Sequence, residues 1–181
     1  MQYRRFGRTN LNIPILSLGG MRFQKSWDQL DFSEISYEEQ NKVENILYLA
    51  NKYGLSHVET AKYYGTSEVQ LGMGFKHTKK IPNIIQTKIP PNSDPIIFEK
   101  DVMTSIEKLK VKKIDLLAIH GINTAEHLHQ AVRDGGCVDI LRNLQKENLI
   151  GFIGFSTHGK SSLIEKAITT NLFDYVNLHW Y

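Results

Sequence analysis

Short apolar segments alternate with longer segments of helical periodicity along most of the chain. A β-hairpin is predicted at the start, because residues 3–6 and 11–16 flank a Gly-Arg-Thr-Asn turn at residues 7–10. The second arm of this hairpin runs on into Gly19 and Gly20. Further strands are predicted where short apolar runs lie between helical segments, at residues 57–61, 83–89, 114–120, 150–156 and 174–181.

The segments between these strands carry the signals of α-helices. Ser36 and Glu39 form a capping box, in which the serine hydroxyl accepts from the Glu39 N–H and the Glu39 carboxylate bonds back. Apolar residues then repeat at helical spacing, and Gly54 supplies a C-terminal stop. Asp94 and Pro95 suit the first positions of another helix. Helices are predicted at residues 67–76, 95–110, 124–133, 138–147 and 161–169.

Strand and helix alternate after the hairpin, which predicts an α/β fold with a parallel sheet. Two architectures share this order, an open doubly wound sheet and a TIM (β/α)8 barrel. Residues 19–22 follow the first strand as Gly-Gly-Met-Arg, which is not the G-x-G-x-x-G of a dinucleotide-binding open sheet. The barrel is therefore favoured. Six strands do not close a barrel, so we expect one domain over residues 1–181, with an N-terminal hairpin and about six βα units, truncated before strands 7 and 8.

Composition narrows the class of protein. Hydrophobic residues make up 41% of the chain, which is enough for a core, and the net charge is only +3. Lysine and arginine are spread evenly, a pattern that does not favour nucleic-acid binding. The single cysteine, Cys137, excludes an internal disulfide framework and is typical of a reducing compartment. The sequence has neither a secretory leader nor an apolar run of membrane-spanning length, so we expect a cytoplasmic protein without a membrane or nucleic-acid partner.

Polar residues stand at the ends of four predicted strands. Glu59, Lys88, His120 and Ser156 each interrupt or end an otherwise apolar run. In a barrel, the C-terminal strand ends meet at one mouth, where barrel enzymes place their reactive groups. We therefore expect these four side chains to converge.

Four motifs around these residues resemble one family, the aldo/keto reductases. Residues 59–72, ETAKYYGTSEVQLG, resemble the family signature D-T-A-x-x-Y-G-x-S-E-x-x-L-G. Thr87-Lys88 resembles its strand-3 T-K, residues 115–120 its D-L-x-x-x-H strand, and residues 151–156 its G-x-I-G-x-S strand. The resemblance covers essentially the whole chain. It implies a (β/α)8 barrel that binds NADPH, with NADH possible, and reduces a small-molecule aldehyde or ketone.

The resemblance also implies roles for individual residues. Tyr64 is expected to be the general acid, acidified by the Lys88 ammonium, because an ordinary phenol has a pKa near 10. His120 would hydrogen-bond the carbonyl oxygen. Glu59 stands where most members have Asp, and it is expected to pair with the lysine. Residues expected to contact the cofactor are Gly20, Met21, Glu59, Ser156, Thr157 and Asn177.

Two other functions remain open at this stage. Glu59, His120, His158 and His179 could hold a metal ion in a hydrolase, although no H-x-H or H-E-x-x-H spacing occurs and Lys88 would bring a cation to the site. A barrel that binds a nucleotide without turnover, as a regulatory protein, is the other alternative. With Glu at position 59 the sequence also resembles a bacterial branch of the family. Members of that branch often carry a cysteine-rich iron–sulfur segment, which would lie beyond residue 181.

Overall fold

The computed structural model describes residues 1–79 and 82–179. The chain opens with the expected hairpin, in which β1 (Tyr3–Phe6) pairs antiparallel with β2 (Leu11–Pro14). The turn between them is a short 3-10 helix, Gly7–Thr9, and ends at Asn10 in the left-handed region, with φ 56°. The hairpin prediction is confirmed, although the second arm ends at Pro14 and a separate short strand follows.

Six parallel strands form one curled sheet in the described part of the chain, and they neighbour one another in chain order. A doubly wound sheet reverses its strand order at a switch point, whereas this sheet has no reversal, as expected for part of a barrel. The strands are β3 (Leu18–Gly19), β4 (His57–Glu59), β5 (Ile84–Ile89), β6 (Ile114–Ile119), β7 (Ile150–Thr157) and β8 (Tyr175–Leu178). The last strand was predicted to reach residue 181, but Trp180 and Tyr181 lie outside the described residues.

Helices connect the strands and cover the outer face of the sheet. The Ser36 capping box is present, and the Asp94 carboxylate accepts from the N–H groups of Ile96 and Ile97. None of the helices in the described ranges is long and apolar enough to cross a membrane. The helices are α1 (Tyr37–Lys52), α2 (Ser67–Thr78), α3 (Pro95–Leu109), α4 (Ala125–Val132), α5 (Cys137–Lys146) and α6 (Ser161–Thr169).

The two faces of the strands bury different side chains, since successive residues of a strand point to opposite faces. Outward-facing residues such as Ile85, Leu117 and Phe155 join the main core under the helices. Inward-facing residues near the strand starts form a second apolar cluster, which the hairpin covers. In this cluster Phe6 packs on Tyr175, with ring centroids 5.2 Å apart. Polar residues follow on the same inner face towards the strand ends.

The helices α2 and α3 approach closely at Gly72. A methyl group at this glycine would lie 2.0 Å from the Lys108 carbonyl oxygen and 2.8 Å from the Leu109 carbonyl carbon. Both are backbone atoms, so the helices would have to separate to accommodate a side chain. In this chain Gly72 is therefore required by the contact between the two helices.

Gly72→Ala is expected to lower the free energy of unfolding by about 3 kcal/mol, because overpacking against a fixed backbone is costly. Gly74→Ala is the matched control in the same helix. Its new methyl group would come too close only to the flexible tip of the Leu47 side chain, at 2.5 Å, and would meet no backbone atom. Alanine also favours the helix by about 1 kcal/mol over glycine. Urea unfolding of both variants checks the prediction. Equal stability of the two variants would show that the close contact at Gly72 is unimportant.

Candidate active site

A cavity of about 360 Å³ opens at the C-terminal ends of the strands. It brings together all four polar strand-end residues, together with Tyr64 from the loop after β4. The residues around it are Ser17, Gly19, His57, Glu59, Tyr64, Lys88, His120, Ser156, Thr157, His158, Asn177, Leu178 and His179.

Lys88 and Glu59 form an ion pair on the floor of this cavity. Lys88 is only 4% exposed, and its ammonium also donates to the carbonyl oxygen of Thr60 at 2.9 Å. Burial lowers the pKa of Lys88 to about 7, whereas the adjoining carboxylate favours the ammonium form. The extra methylene of Glu59, relative to aspartate, does not prevent the pair.

Tyr64 lies beside this lysine with its ring towards the charge. The Lys88 ammonium is 4.7 Å from the centroid of the Tyr64 ring. No described residue hydrogen-bonds to the Tyr64 hydroxyl, and burial raises the pKa of the phenol. In this geometry the pKa of Tyr64 is raised and not lowered as expected from the sequence, because burial disfavours the phenolate. The phenol carries its proton at neutral pH.

His120 stands edge-on to Tyr64, with ring centroids 5.9 Å apart and an interplanar angle of 90°. Burial, followed by the nearby Lys88 and His158, lowers the pKa of His120 to about 4, so the imidazole is neutral at neutral pH. Its Nδ1 atom is buried and has no hydrogen-bond partner among the described residues. A neutral imidazole in this position can donate one hydrogen bond into the cavity.

The loop that carries Tyr64 is fixed at both ends. The backbone N–H groups of Thr60 and Lys62 donate to the carbonyls of Gln86 and Lys88, at 2.9 and 3.0 Å. Gly65 has φ +52°, and a methyl group there would lie 1.7 Å from the Ser26 carbonyl oxygen. A glycine must therefore follow Tyr64, because the long loop after β3 packs directly against this turn.

Ser67 and Glu68, the Ser-Glu pair of the motif, have a structural role. The Ser67 hydroxyl donates to the Gly20 carbonyl oxygen at 2.8 Å. Glu68 is buried, and its carboxylate accepts from the hydroxyls of Thr87 at 2.6 Å and Ser105 at 3.0 Å. Burial raises the pKa of Glu68. These contacts tie α2 to α3 and to the strand that carries Lys88.

Ser156 and Asn177 offer donors to a ligand in the cavity. They lie opposite each other in the register of β7 and β8. The Ser156 hydroxyl oxygen accepts from the Gly121 N–H at 2.9 Å, and the Asn177 carbonyl oxygen accepts from the Gln86 amide at 2.9 Å. Within the described ranges no residue accepts from the Ser156 hydroxyl or from the Asn177 amide nitrogen. Two adjacent donors of this kind fit the oxygen of a planar carboxamide such as that of nicotinamide.

The other expected cofactor contacts are placed differently. Thr157 borders the cavity, but its hydroxyl donates to the Ile122 carbonyl at 2.7 Å and so holds the loop after β6. Gly20 is buried against α2, and Met21 is 39% exposed outside the cavity. From this segment it is Gly19 that borders the cavity, with open space where a side chain would stand.

Three residues near the floor of the site were not among the sequence candidates. His57 and Ser17 border the cavity, and Gln86 joins His57 to Asn177 by hydrogen bonds. The signal for two of them was present in the sequence. His57 is two residues before Glu59, and Gln86 is two residues before Lys88, so the two-residue period of a strand places each pair on one face.

The geometry gives no support to a metal site. Glu59, the carboxylate of the hypothetical ligand set, is bonded to Lys88. Among residues 1–79 and 82–179, no three His, Cys, Asp or Glu side chains are grouped so that they could hold a metal ion. His158 and His179 instead stack on each other, with ring centroids 4.8 Å apart.

Comparison with known proteins identifies the family of the chain. The sequence model of the aldo/keto reductase family matches residues 15–179. No curated protein matches the chain.

Solved structures match the fold along nearly the whole chain. A Pseudomonas aeruginosa protein described as an aldo-keto reductase superimposes with a TM-score of 0.76 and 22% identity, covering 98% of this chain and 67% of its own. The holo form of an aldo-keto reductase from Bacillus halodurans has a TM-score of 0.76 and 18% identity, covering 99% and 58%. An aldo/keto reductase from Klebsiella pneumoniae in complex with NADP and acetate has a TM-score of 0.66 and 16% identity, covering 91% and 52%. The chain thus spans about half to two thirds of the length of these proteins.

Proposed function

The chain belongs to the aldo/keto reductase family, and from that premise we propose that it is a cytoplasmic oxidoreductase that reduces a small aldehyde or ketone with NADPH, NADH being the alternative cofactor. The observation that carries this proposal is the meeting of Tyr64, Lys88, His120 and Glu59 around one cavity. Lys88 and His120 come from the ends of β5 and β6, whereas Glu59 and Tyr64 come from the end of β4 and the loop after it. A buried amine is costly unless it is paired, and groups with such perturbed pKa values cluster at functional sites. We further propose that the complete (β/α)8 barrel is the working fold.

The residues of the site fit a nicotinamide cofactor. When bound, the nicotinamide supplies the hydride. Ser156 and Asn177 would hold its carboxamide through the two adjacent donors described above. Gly19 leaves room for a ligand to lie against the backbone after β3. Glu59 would contribute to the cofactor site by fixing the position of Lys88 through their ion pair.

Proton transfer falls to Tyr64. The phenol is protonated at neutral pH, as a proton donor must be before reaction, since burial raises its pKa. The Lys88 ammonium, 4.7 Å from the ring centroid, then stabilises the phenolate that forms when the proton leaves. The paired Glu59 carboxylate favours the ammonium form of Lys88, against the burial that lowers its pKa to about 7. Burial thus keeps the proton on Tyr64 before the reaction, and the nearby cation stabilises the phenolate after the proton has left.

His120 would orient the substrate. A neutral imidazole beside Tyr64 can donate a hydrogen bond to the carbonyl oxygen that receives the proton. Such a donor stabilises negative charge as it develops on that oxygen. An imidazolium would compete with Tyr64 as acid, so the lowered pKa of His120 keeps the two roles separate.

Carbonyl-dependent oxidation of NADPH tests the proposal. Purified protein is expected to oxidise NADPH when short aliphatic and aromatic aldehydes are supplied, with one alcohol formed for each cofactor consumed. NADH in place of NADPH measures the cofactor preference. If NADPH quenches the protein fluorescence but no aldehyde or ketone is reduced, the protein is a nucleotide-binding protein and the reductase proposal is wrong.

A further inference from the structure

A continuous chain of side-chain hydrogen bonds crosses the inner face of the sheet beneath the candidate site. The Ser17 hydroxyl lies 2.7 Å from Nδ1 of His57, and Nε2 of His57 lies 3.0 Å from Oε1 of Gln86. The Gln86 amide nitrogen donates to Oδ1 of Asn177 at 2.9 Å. This hydrogen-bond chain joins the segment before β3 to β8. It ends at Asn177, one of the two donors proposed for the carboxamide.

The contacts of Gln86 give this chain a direction. Gln86 is fully buried, so its carbonyl oxygen and its amide nitrogen must both find partners inside the protein. The oxygen faces His57, and His57 must therefore carry its proton on Nε2. Burial lowers the pKa of His57, which keeps the ring neutral, so Nδ1 has no proton and accepts from the Ser17 hydroxyl. Every bond then points from Ser17 towards Asn177.

The direction decides what Asn177 presents to the cavity. Its Oδ1 is occupied by the Gln86 amide, so the free end of its own amide is the NH₂ group. If both amides were turned over, His57 would carry its proton on Nδ1, and Asn177 would present an acceptor instead. The two arrangements differ in which nitrogen of one buried imidazole is protonated.

We propose that His57 and Gln86 are positioning residues, which fix the Asn177 amide so that it donates to the carbonyl oxygen of the nicotinamide carboxamide. This inference rests on the proposed use of a nicotinamide cofactor. In this proposal His57 and Gln86 act through Asn177 and not by direct contact with the cofactor or the substrate. The chain thus selects a ligand with a hydrogen-bond acceptor at this point.

The protonation of His57 tests the chain without any cofactor. Nitrogen-15 NMR of the ligand-free protein is expected to show the ring as the Nε2–H tautomer. In Gln86→Met, which keeps the size of the side chain but removes the carbonyl oxygen and the NH₂ group of the amide, the preference for this tautomer should be lost. An Nδ1–H ring in the wild-type protein would overturn the proposal.

Two ligands then test the consequence for binding. NADP⁺ contains the carboxamide, whereas 2′-phosphoadenosine diphosphate ribose lacks the whole nicotinamide. Gln86→Met is expected to raise the dissociation constant of NADP⁺ about fivefold, the effect of one lost hydrogen bond. The dissociation constant of the second ligand should stay unchanged. Fluorescence titration measures both dissociation constants. If the substitution raised both dissociation constants equally, Gln86 would have a merely structural role and the proposal would be wrong.

Gln40→Met provides a matched control, since Gln40 is a buried glutamine of α1 that is bonded to Glu44 and to the Gln70 carbonyl, away from the site. It is expected to leave both dissociation constants unchanged. If the wild-type protein binds neither ligand, the cofactor proposal fails together with the role assigned to Asn177. The His57 tautomer still shows whether the hydrogen-bond chain has the direction described. Failure of the cofactor proposal can therefore be told apart from failure of the proposed hydrogen-bond direction.

Discussion

Tyr64→Phe is expected to lower the rate of carbonyl reduction about 10²–10⁴-fold, the range that general acid catalysis contributes. The variant keeps the ring that packs edge-on against His120 and beside Lys88, and it loses only the hydroxyl. Because this hydroxyl bonds to no described residue, its removal breaks no hydrogen bond within the described part of the chain. The dissociation constant for NADPH should therefore be nearly unchanged, so that the loss falls on kcat.

Tyr63→Phe is the control for this variant. The Tyr63 ring also lies 5.9 Å from the His120 ring, but Tyr63 is 59% exposed and faces solvent. It should keep a rate close to that of the wild-type protein. Steady-state oxidation of NADPH with one reactive aldehyde compares the two variants. If Tyr63→Phe lost the larger part of the activity, the roles of the neighbouring tyrosines would have to be exchanged.

The fold and the meeting of the strand-end residues could be predicted because both follow from local rules. Glu59 and Lys88 end neighbouring strands, and parallel strands bring such residues to one edge of the sheet whatever the details of packing. The Ser36 capping box likewise depends on residues three positions apart, so its partners were visible in the sequence. Periodicity and spacing carry this kind of information directly.

The electrostatics of Tyr64 could not be predicted in the same way. The sequence showed that a lysine would lie near the phenol, but the direction of the pKa depends on the depth of burial and on the partner of that lysine. Burial raises the pKa of Tyr64, and the nearby lysine is paired with Glu59. Both quantities are set by the packed structure and not by the spacing of residues.

The segment after β3 shows a second limit. Gly20 and Met21 were expected at the cofactor, yet the chain turns into a 3-10 helix, Gly20–Phe23, and Gly20 is drawn to Ser67 of α2. Which of two adjacent glycines faces the cavity depends on this tertiary hydrogen bond. The role of Gln86 was missed for a related reason: the two-residue period of the strand gives its face, but its partners His57 and Asn177 lie on other strands.

Lys88→Met is expected to abolish most of the activity, by about 10²-fold or more, because no cation remains to stabilise the Tyr64 phenolate. It should also lower the free energy of unfolding by about 3 kcal/mol, since it leaves the Glu59 carboxylate without its partner. We expect the lower end of the range for broken buried pairs, because the Glu59 side chain is 21% exposed. Urea unfolding and NADPH oxidation measure the two effects on the same preparation.

The double variant Lys88→Met/Glu59→Gln separates these two consequences. Neutralising the carboxylate removes the unpaired charge, so most of the lost stability should return, as it does when both members of a buried pair are replaced together. The activity should stay low, because glutamine restores no cation beside Tyr64. Recovery of both properties would show that Lys88 serves only to neutralise Glu59. Recovery of stability alone places the ammonium in the chemistry of proton transfer.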